Sequence, residues 1–206
     1  MKTLIYGSGA TARLIVRFAP YVHGVIEDYP SHQPAGSPLL NRPTLKLPQP
    51  DCELIIGVGY QHGEGGMNKR REEIAEIGCP LASVIFSFGV RNIGTGCVVL
   101  PGTILHDNSC IGRNCFIASN VTVGHDVCIG DHSWVNSGVA LDGSAIVGRR
   151  CVIGANAVIG AGVKLGERVL IGPGAVVLRD VPDGGVVLAP ESVLHRFNSS
   201  VFGRMK

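Results

Sequence analysis

Residues 121–165 read VTVGHDVCIGDHSWVNSGVALDGSAIVGRRCVIGANAVIGAGVKL, and an aliphatic side chain returns at every sixth position: Val123, Ile129, Val135, Leu141, Val147, Ile153, Ile159 and Leu165. The period extends back through Ile117, Ile111, Leu105 and Val99 to Ile93 and forward to Ile171 and Val177, fifteen aliphatics without a miss. The next position is often glycine, as at Gly112, Gly130, Gly148 and Gly166, where the chain turns a crowded corner. Two positions before each aliphatic the residue is mostly small: Cys97, Thr103, Ser109, Cys115, Ser133, Ala145, Cys151, Ala157 and Ala175. A fixed hexapeptide period predicts a parallel β-helix in which each coil buries its aliphatics against its neighbours. Three hexads make a coil of 18 residues, so fifteen hexads make five coils, and residues 18 apart stack at about 4.8 Å. The period does not fix the hand of the coil.

The rest of the composition is that of a compact protein: 206 residues, 45% hydrophobic and 17% charged. Eighteen Lys and Arg against sixteen Asp and Glu, with no basic run longer than Lys69-Arg70-Arg71, point to neither nucleic acid nor an anionic membrane. The apolar stretches are interrupted by glycine or charge and the N-terminus has no signal-peptide core, so no membrane span is expected and the location reads as cytoplasmic. Seven cysteines without a CxxC pair argue against a disulfide framework or a zinc ribbon. In the 18-residue register Cys97, Cys115 and Cys151 share one inward column and Cys110 and Cys128 another, which predicts buried thiols filling small slots.

Before the repeat, residues 1–90 read as a separate α/β domain. Lys2 to Tyr6 is a buried strand, Gly7 to Ala12 a tight loop and Arg13 to Phe18 a helix, a loose GxGxxG/A unit. A second strand ends near Ile26, Pro30 to Pro50 is a proline-rich connection, and Glu53 to Val58 is a third strand. A helix near Asn68 to Ile77 and a strand near Leu81 to Phe86 complete the domain. Ligands of open α/β sheets sit outside the carboxyl ends of the strands, which gathers Gly9, Ala10, Thr11, Glu27, Asp28 and Gly59 on one crevice. Ninety residues are too few for both halves of a dinucleotide fold, so a mononucleotide fits better than NAD.

Chemistry points to Gly124-His125-Asp126, at a corner where side chains leave the prism. One coil either way places Asp107 below His125 and Gly143 above it. A general base needs an orienting acceptor on its far nitrogen, and addition to a thioester needs an N–H donor for the developing oxyanion. His106 and His132 are the other candidates, but the three imidazoles lie at different corner offsets. Three converging histidines for a metal are therefore not expected.

The chain resembles the hexapeptide-repeat sugar acetyltransferases of the sialic acid O-acetyltransferase (NeuD) and nucleotide-amino-sugar N-acetyltransferase (PglD) type. The resemblance is carried by Tyr6 to Ala12, Ile26-Glu27-Asp28, Ile55 to Gly59, Leu178 to Gly184 and above all the run His125-Asp126-Val127-Cys128-Ile129-Gly130-Asp131. It implies a small Rossmann-like parallel-sheet domain (1–90), a left-handed parallel β-helix of about five coils (91–180) and a C-terminal tail (181–206). It also implies a homotrimer with active sites between subunits, acetyl-CoA as co-substrate, no metal and a nucleotide-sugar acceptor. On matching positions His125 is the base and Asp126 raises its basicity. Gly143 donates to the thioester oxygen, Ala155 and Gly174 line the coenzyme groove, and Gly9, Ala10, Thr11, Glu27, Asp28 and Gly59 form the nucleotide pocket.

Three positions depart from the family pattern: Gly9-Ala10-Thr11 stands for Gly-Gly-His, Trp134 for a second histidine, and Leu188-Ala189-Pro190-Glu191 for the closing Gly-x-Pro-Ala. Trp134 is expected to stack on coenzyme or substrate. The leading expectation is N-acetylation of a nucleotide-linked amino sugar by direct attack. The alternatives are O-acetylation by the same residues, a metal-dependent hydratase on the same scaffold, and a non-catalytic nucleotide-binding β-helix.

Overall fold

The computed structural model describes residues 2–6, 10–19, 21–26, 44–45, 51–59, 69–77, 79–89 and 92–192. The sixfold aliphatics become the axis of the molecule. Val99, Leu105, Ile111 and every sixth residue to Val177 lie in one continuous core with the small inward residues between them. Two-residue strands repeat from Cys110–Ile111 to Val176–Val177, each paired in parallel with the strand 18 residues away, as Cys128↔Cys110 and Cys128↔Ile146 illustrate. Consecutive strands are joined by corners at which one residue takes a left-handed conformation: Asn108, Asp126 and Ser144 on one edge, Asn114, His132 and Arg150 on the second, Asn120 and Asn156 on the third. The asparagines and glycines of the repeat sit where this backbone is tolerated.

The inward cysteine column fulfils its packing role and adds hydrogen bonds. Cys97, Cys115, Ser133 and Cys151 donate to the carbonyls of Gly112, Gly130, Gly148 and Gly166, each fifteen residues on, at 3.0, 3.3, 3.0 and 3.1 Å. Burial pushes the Cys151 thiol up to about 11, so it is inert near neutral pH. Cys110 and Cys128 correct the sequence reading. They occupy the outward position of their strands, are more accessible than the inward column, and are joined by a disulfide across adjacent coils. A one-residue offset in a period-two strand turned the inward column outward.

The N-terminal domain is a parallel sheet in the order β3-β2-β1-β4, with β1 at Lys2–Tyr6, β2 at Gly24–Ile26, β3 at Thr44–Leu45 and β4 at Cys52–Ile56. Helix α1 (Ala10–Phe18) follows β1, and α2 (Lys69–Ala75) follows β4. The strand expected over Leu81 to Phe86 meets this sheet only at its start, Leu81 opposite Leu54 of β4; from Val84 the chain forms β5 (Val84–Gly89), which pairs with β6 (Val98–Leu105) of the β-helix, Val84 opposite Val98, so the stack begins before residue 90.

One core joins the two parts. Ile5, Ile15, Val16 and Ile55 pack against Val98, Phe116, Trp134 and Val152, the outward residues of one β-helix face. Trp134 stacks on Phe116 with ring centroids 3.9 Å apart and donates its indole N–H to Asn136 Oδ1 at 3.0 Å. Two ion pairs flank this core, Glu72 of α2 with Arg150 and Glu76, just beyond α2, with Arg113.

Candidate active site

His125 and Asp126 form one corner. The chain must reverse there, and Asp126 does so at φ 59, which turns its carboxylate back onto the preceding ring. Asp126 Oδ2 lies 2.8 Å from His125 Nδ1, and Asn108 of the coil below donates to Asp126 Oδ1 at 3.1 Å. The imidazole bond, then the amide, holds the Asp126 carboxyl below the usual carboxylate range. An ionised acceptor at Nδ1 selects the tautomer with its proton there and leaves the Nε2 lone pair free. Both side chains are exposed, 67% and 49%, so the pair faces solvent and not the core. Of the two carboxylates in register with His125, Asp126 makes the contact; Asp107 contributes its backbone carbonyl to the Asp126 N–H at 3.0 Å.

Gly143 lies directly above. A Cβ there would stand 2.6 Å from His125 Cε1 and closer still to Nε2, so only glycine admits the ring in this position. At the next corner the turn N–H of Arg113 is capped by the Asp131 carboxylate 18 residues on, at 2.9 Å, and that of Glu167 is capped by Asp183 at 2.8 Å. The residue 18 after Gly143 is Ala161, which has no acceptor to offer. Among the described residues the Gly143 N–H donates to no backbone carbonyl. A base nitrogen and a free amide donor thus stand side by side, the pair that acyl transfer requires.

The two residues expected to line a coenzyme groove lie elsewhere on the prism. Ala155 and Gly174 sit on the third edge, beside a cavity of about 270 Å³ lined by Asn136, Val152, Ala155, Leu170, Pro173 and Leu188. Trp134 does not reach any such groove: it is 5% exposed and fills the joint between the domains. An aromatic residue on the outward face of a strand is equally suited to a ligand stack and to a domain interface, and the α/β domain covers this face. Leu188 had carried no functional expectation; its place in the cavity wall follows from the segment that departs from the family pattern.

His132 is fully buried. Its Nδ1 meets Asn114 Nδ2 at 2.9 Å, Nε2 has no partner, and burial holds the ring below the ordinary histidine value. It is no candidate for a base. Among the described residues no three His, Cys, Asp or Glu side chains converge as metal ligands.

In the N-terminal domain Ala10 and Thr11 open α1 after β1, and Gly59 lies beyond β4, so they flank the carboxyl edge where the strand order reverses. Gly9, Glu27 and Asp28 fall outside the described residues, as does the tail from residue 193. No described helix is long and apolar enough to cross a membrane.

Two family models match within the β-helix. Residues 109–142 match the hexapeptide repeat of succinyl-transferase, and residues 144–179 the bacterial transferase hexapeptide (six repeats), so the chain carries that repeat. A variant of perosamine N-acetyltransferase from Caulobacter crescentus, in complex with CoA and GDP-perosamine, is similar over 92% of this chain and 94% of its own, with a TM-score of 0.80 and 22% identity. The acetyltransferase domain of PglB from Neisseria gonorrhoeae FA1090, in complex with acetyl coenzyme A, gives a TM-score of 0.76 at 21% identity, over 91% of this chain and 96% of that one. These likenesses establish the fold, an α/β domain joined to a left-handed parallel β-helix. No curated protein sequence matches the chain.

Proposed function

We propose that this protein is an acetyl-CoA-dependent acetyltransferase that acetylates the amino group of a nucleotide-linked amino sugar in the cytoplasm. The observation that carries the reading is the corner itself: His125 with Nδ1 held by Asp126 and Nε2 beside the uncapped N–H of Gly143. Acetyl-CoA supplies the activated acetyl group as a thioester. His125 takes the proton from the amine as its nitrogen attacks the carbonyl carbon, and passes it to the departing thiolate as the C–S bond breaks. Gly143 donates its N–H to the oxygen on which charge develops. Asp126 stays ionised and stabilises the imidazolium in between.

The placement of the remaining residues supports a homotrimer. Ala155 and Gly174 stand on a different edge from His125, so a coenzyme that touches both sets would lie between one copy and the next. Ala10, Thr11 and Gly59, with Gly9, Glu27 and Asp28, make the nucleotide pocket, a reading supported by the GDP-sugar in the Caulobacter relative.

The test is release of free thiol from acetyl-CoA on addition of nucleotide-linked amino sugars. Turnover should require the amine and fall by about 10²–10⁴-fold in His125→Ala, whose exposed side chain leaves the fold intact. Full turnover in that variant would remove His125 from the role, and acceptance of a sugar that offers only hydroxyls would move the reading to O-acetylation.

A further inference from the structure

We propose that Asn108 is a positioning residue, the donor that fixes the Asp126 carboxylate against His125. The need for such a residue follows from exposure. An aspartate and a histidine that are neighbours in sequence and both open to water gain little from one hydrogen bond, because the carboxylate loses rotamer freedom to make it. Here the two carboxylate oxygens are divided between two partners. Oδ2 faces His125 Nδ1 at 2.8 Å and Oδ1 accepts from Asn108 Nδ2 at 3.1 Å. Held at both ends, the carboxylate keeps one orientation, and His125 Nε2 keeps its place beside Gly143.

The β-helix supplies the reach. Asn108 stands 18 residues before Asp126, at the same corner one coil below, and the two share the left-handed backbone, φ 57 and φ 59. The coils are clamped at this point by the Asp126 N–H to Asp107 carbonyl bond of 3.0 Å. The second corner repeats the arrangement, where Asn114 reaches one coil up to His132 Nδ1 at 2.9 Å. At these two corners the asparagine thus addresses the residue 18 further on. At the buried corner it fixes a ring directly, and at the exposed corner it fixes the carboxylate that fixes a ring. Further up the exposed edge the same position holds Ser144 and then Gly162, so no second amide–carboxylate pair forms there.

An amide suits the task because it donates at every pH and carries no charge. It favours the ionised carboxylate, which agrees with an Asp126 carboxyl below the usual range whose second contributor is Asn108. The competing account is that asparagine is present only because it tolerates positive φ, as at Asn120 and Asn156.

Two variants separate these accounts. Asn108→Gly keeps the backbone conformation and deletes the donor. Asn108→Asp keeps size and turn preference and replaces the donor by an acceptor. Carbon-13 NMR of the Asp126 carboxyl should show its titration midpoint rising in Asn108→Gly, and kcat should fall about five-fold with KM for acetyl-CoA within about two-fold. Asn108→Asp should lose more of kcat than the glycine variant. Melting temperatures should stay close to wild type for both. An unmoved Asp126 midpoint in Asn108→Gly, or wild-type kcat in both variants, overturns the proposal. The kinetic arm rests on the acetyltransferase reading and the NMR arm does not. A moved midpoint in a protein whose His125→Ala variant keeps full turnover would uphold Asn108 and sink the base.

Discussion

Two corners of one coil carry the same two residue types in opposite order, His125-Asp126 and then Asp131-His132. At the first, histidine holds the outward turn position and aspartate the left-handed one. The ring is in solvent and the carboxylate curls back to it. At the second the roles invert. Asp131 spends one oxygen capping the Arg113 N–H and lies 3.7 Å from the Arg113 guanidinium with the other, while His132 takes the left-handed position at φ 60 and is fully buried. One pair is open to proton transfer and the other is tied into the neighbouring coil, Asp131 to Arg113 and His132 to Asn114. Order within a turn, more than composition, separates them.

The sharpest way to break that comparison is to make the first corner read like the second. The double variant His125→Asp with Asp126→His should lose turnover to the level of His125→Ala, about 10²–10⁴-fold, and melt like the parent because both positions are exposed. Thiol release and a thermal melt read the two halves of this expectation. Retained turnover would mean that a histidine in either turn position serves, and that the geometry at Gly143 is not decisive.

A gentler intervention leaves the histidine alone and closes its neighbour. Ala161→Asp places a carboxylate one coil above Gly143, as Asp131 stands above Arg113. The cap should occupy the Gly143 N–H and reduce kcat by about 10²-fold, the usual effect of losing one oxyanion donor. Unchanged kcat would show that this N–H is not the donor.

These contrasts mark where the sequence could be read. The β-helix was legible because each inward aliphatic repeats at a period that no other fold needs, and the 18-residue register alone stacked Asp107, His125 and Gly143. Register does not say which of two carboxylates turns to the ring; the positive φ of Asp126 decides that. Asn108 escaped notice because its role depends on a side chain reaching across coils, although it stands 18 residues from Asp126 and the register could have found it. Trp134 and β5 were misplaced for a related reason: both belong to the joint between the two parts, and a period read within the repeat carries no information on what covers its faces. Cys110 and Cys128 show the same limit at the scale of one residue.

The smallest expected effect probes the buried corner. The neutral form of His132 is the one the fold prefers, since burial lowers the ring's pKa; Glu72 and Asp131 oppose that shift and Arg113 and Arg149 reinforce it. Unfolding returns the ring to about 6.5. The unfolded chain therefore binds the proton more readily, so this contribution to stability is complete above that pH and is lost as the pH falls below it toward the depressed folded value. The Glu72 carboxyl, which burial raises but the bond and charge of Arg150 lower further, gives stability that is complete above the ordinary carboxylate range and is lost only as the pH falls through that range toward the lowered folded value, below the pH window of this test. Between pH 7 and 5.5 the melting temperature should fall by about 2–4 °C in the parent. His132→Asn, which tolerates the left-handed backbone and cannot titrate, should flatten that slope. Equal slopes in the two proteins would mean that the second corner is as indifferent to protons as its place in the core is hidden from them, and that the acid sensitivity of the fold lies elsewhere.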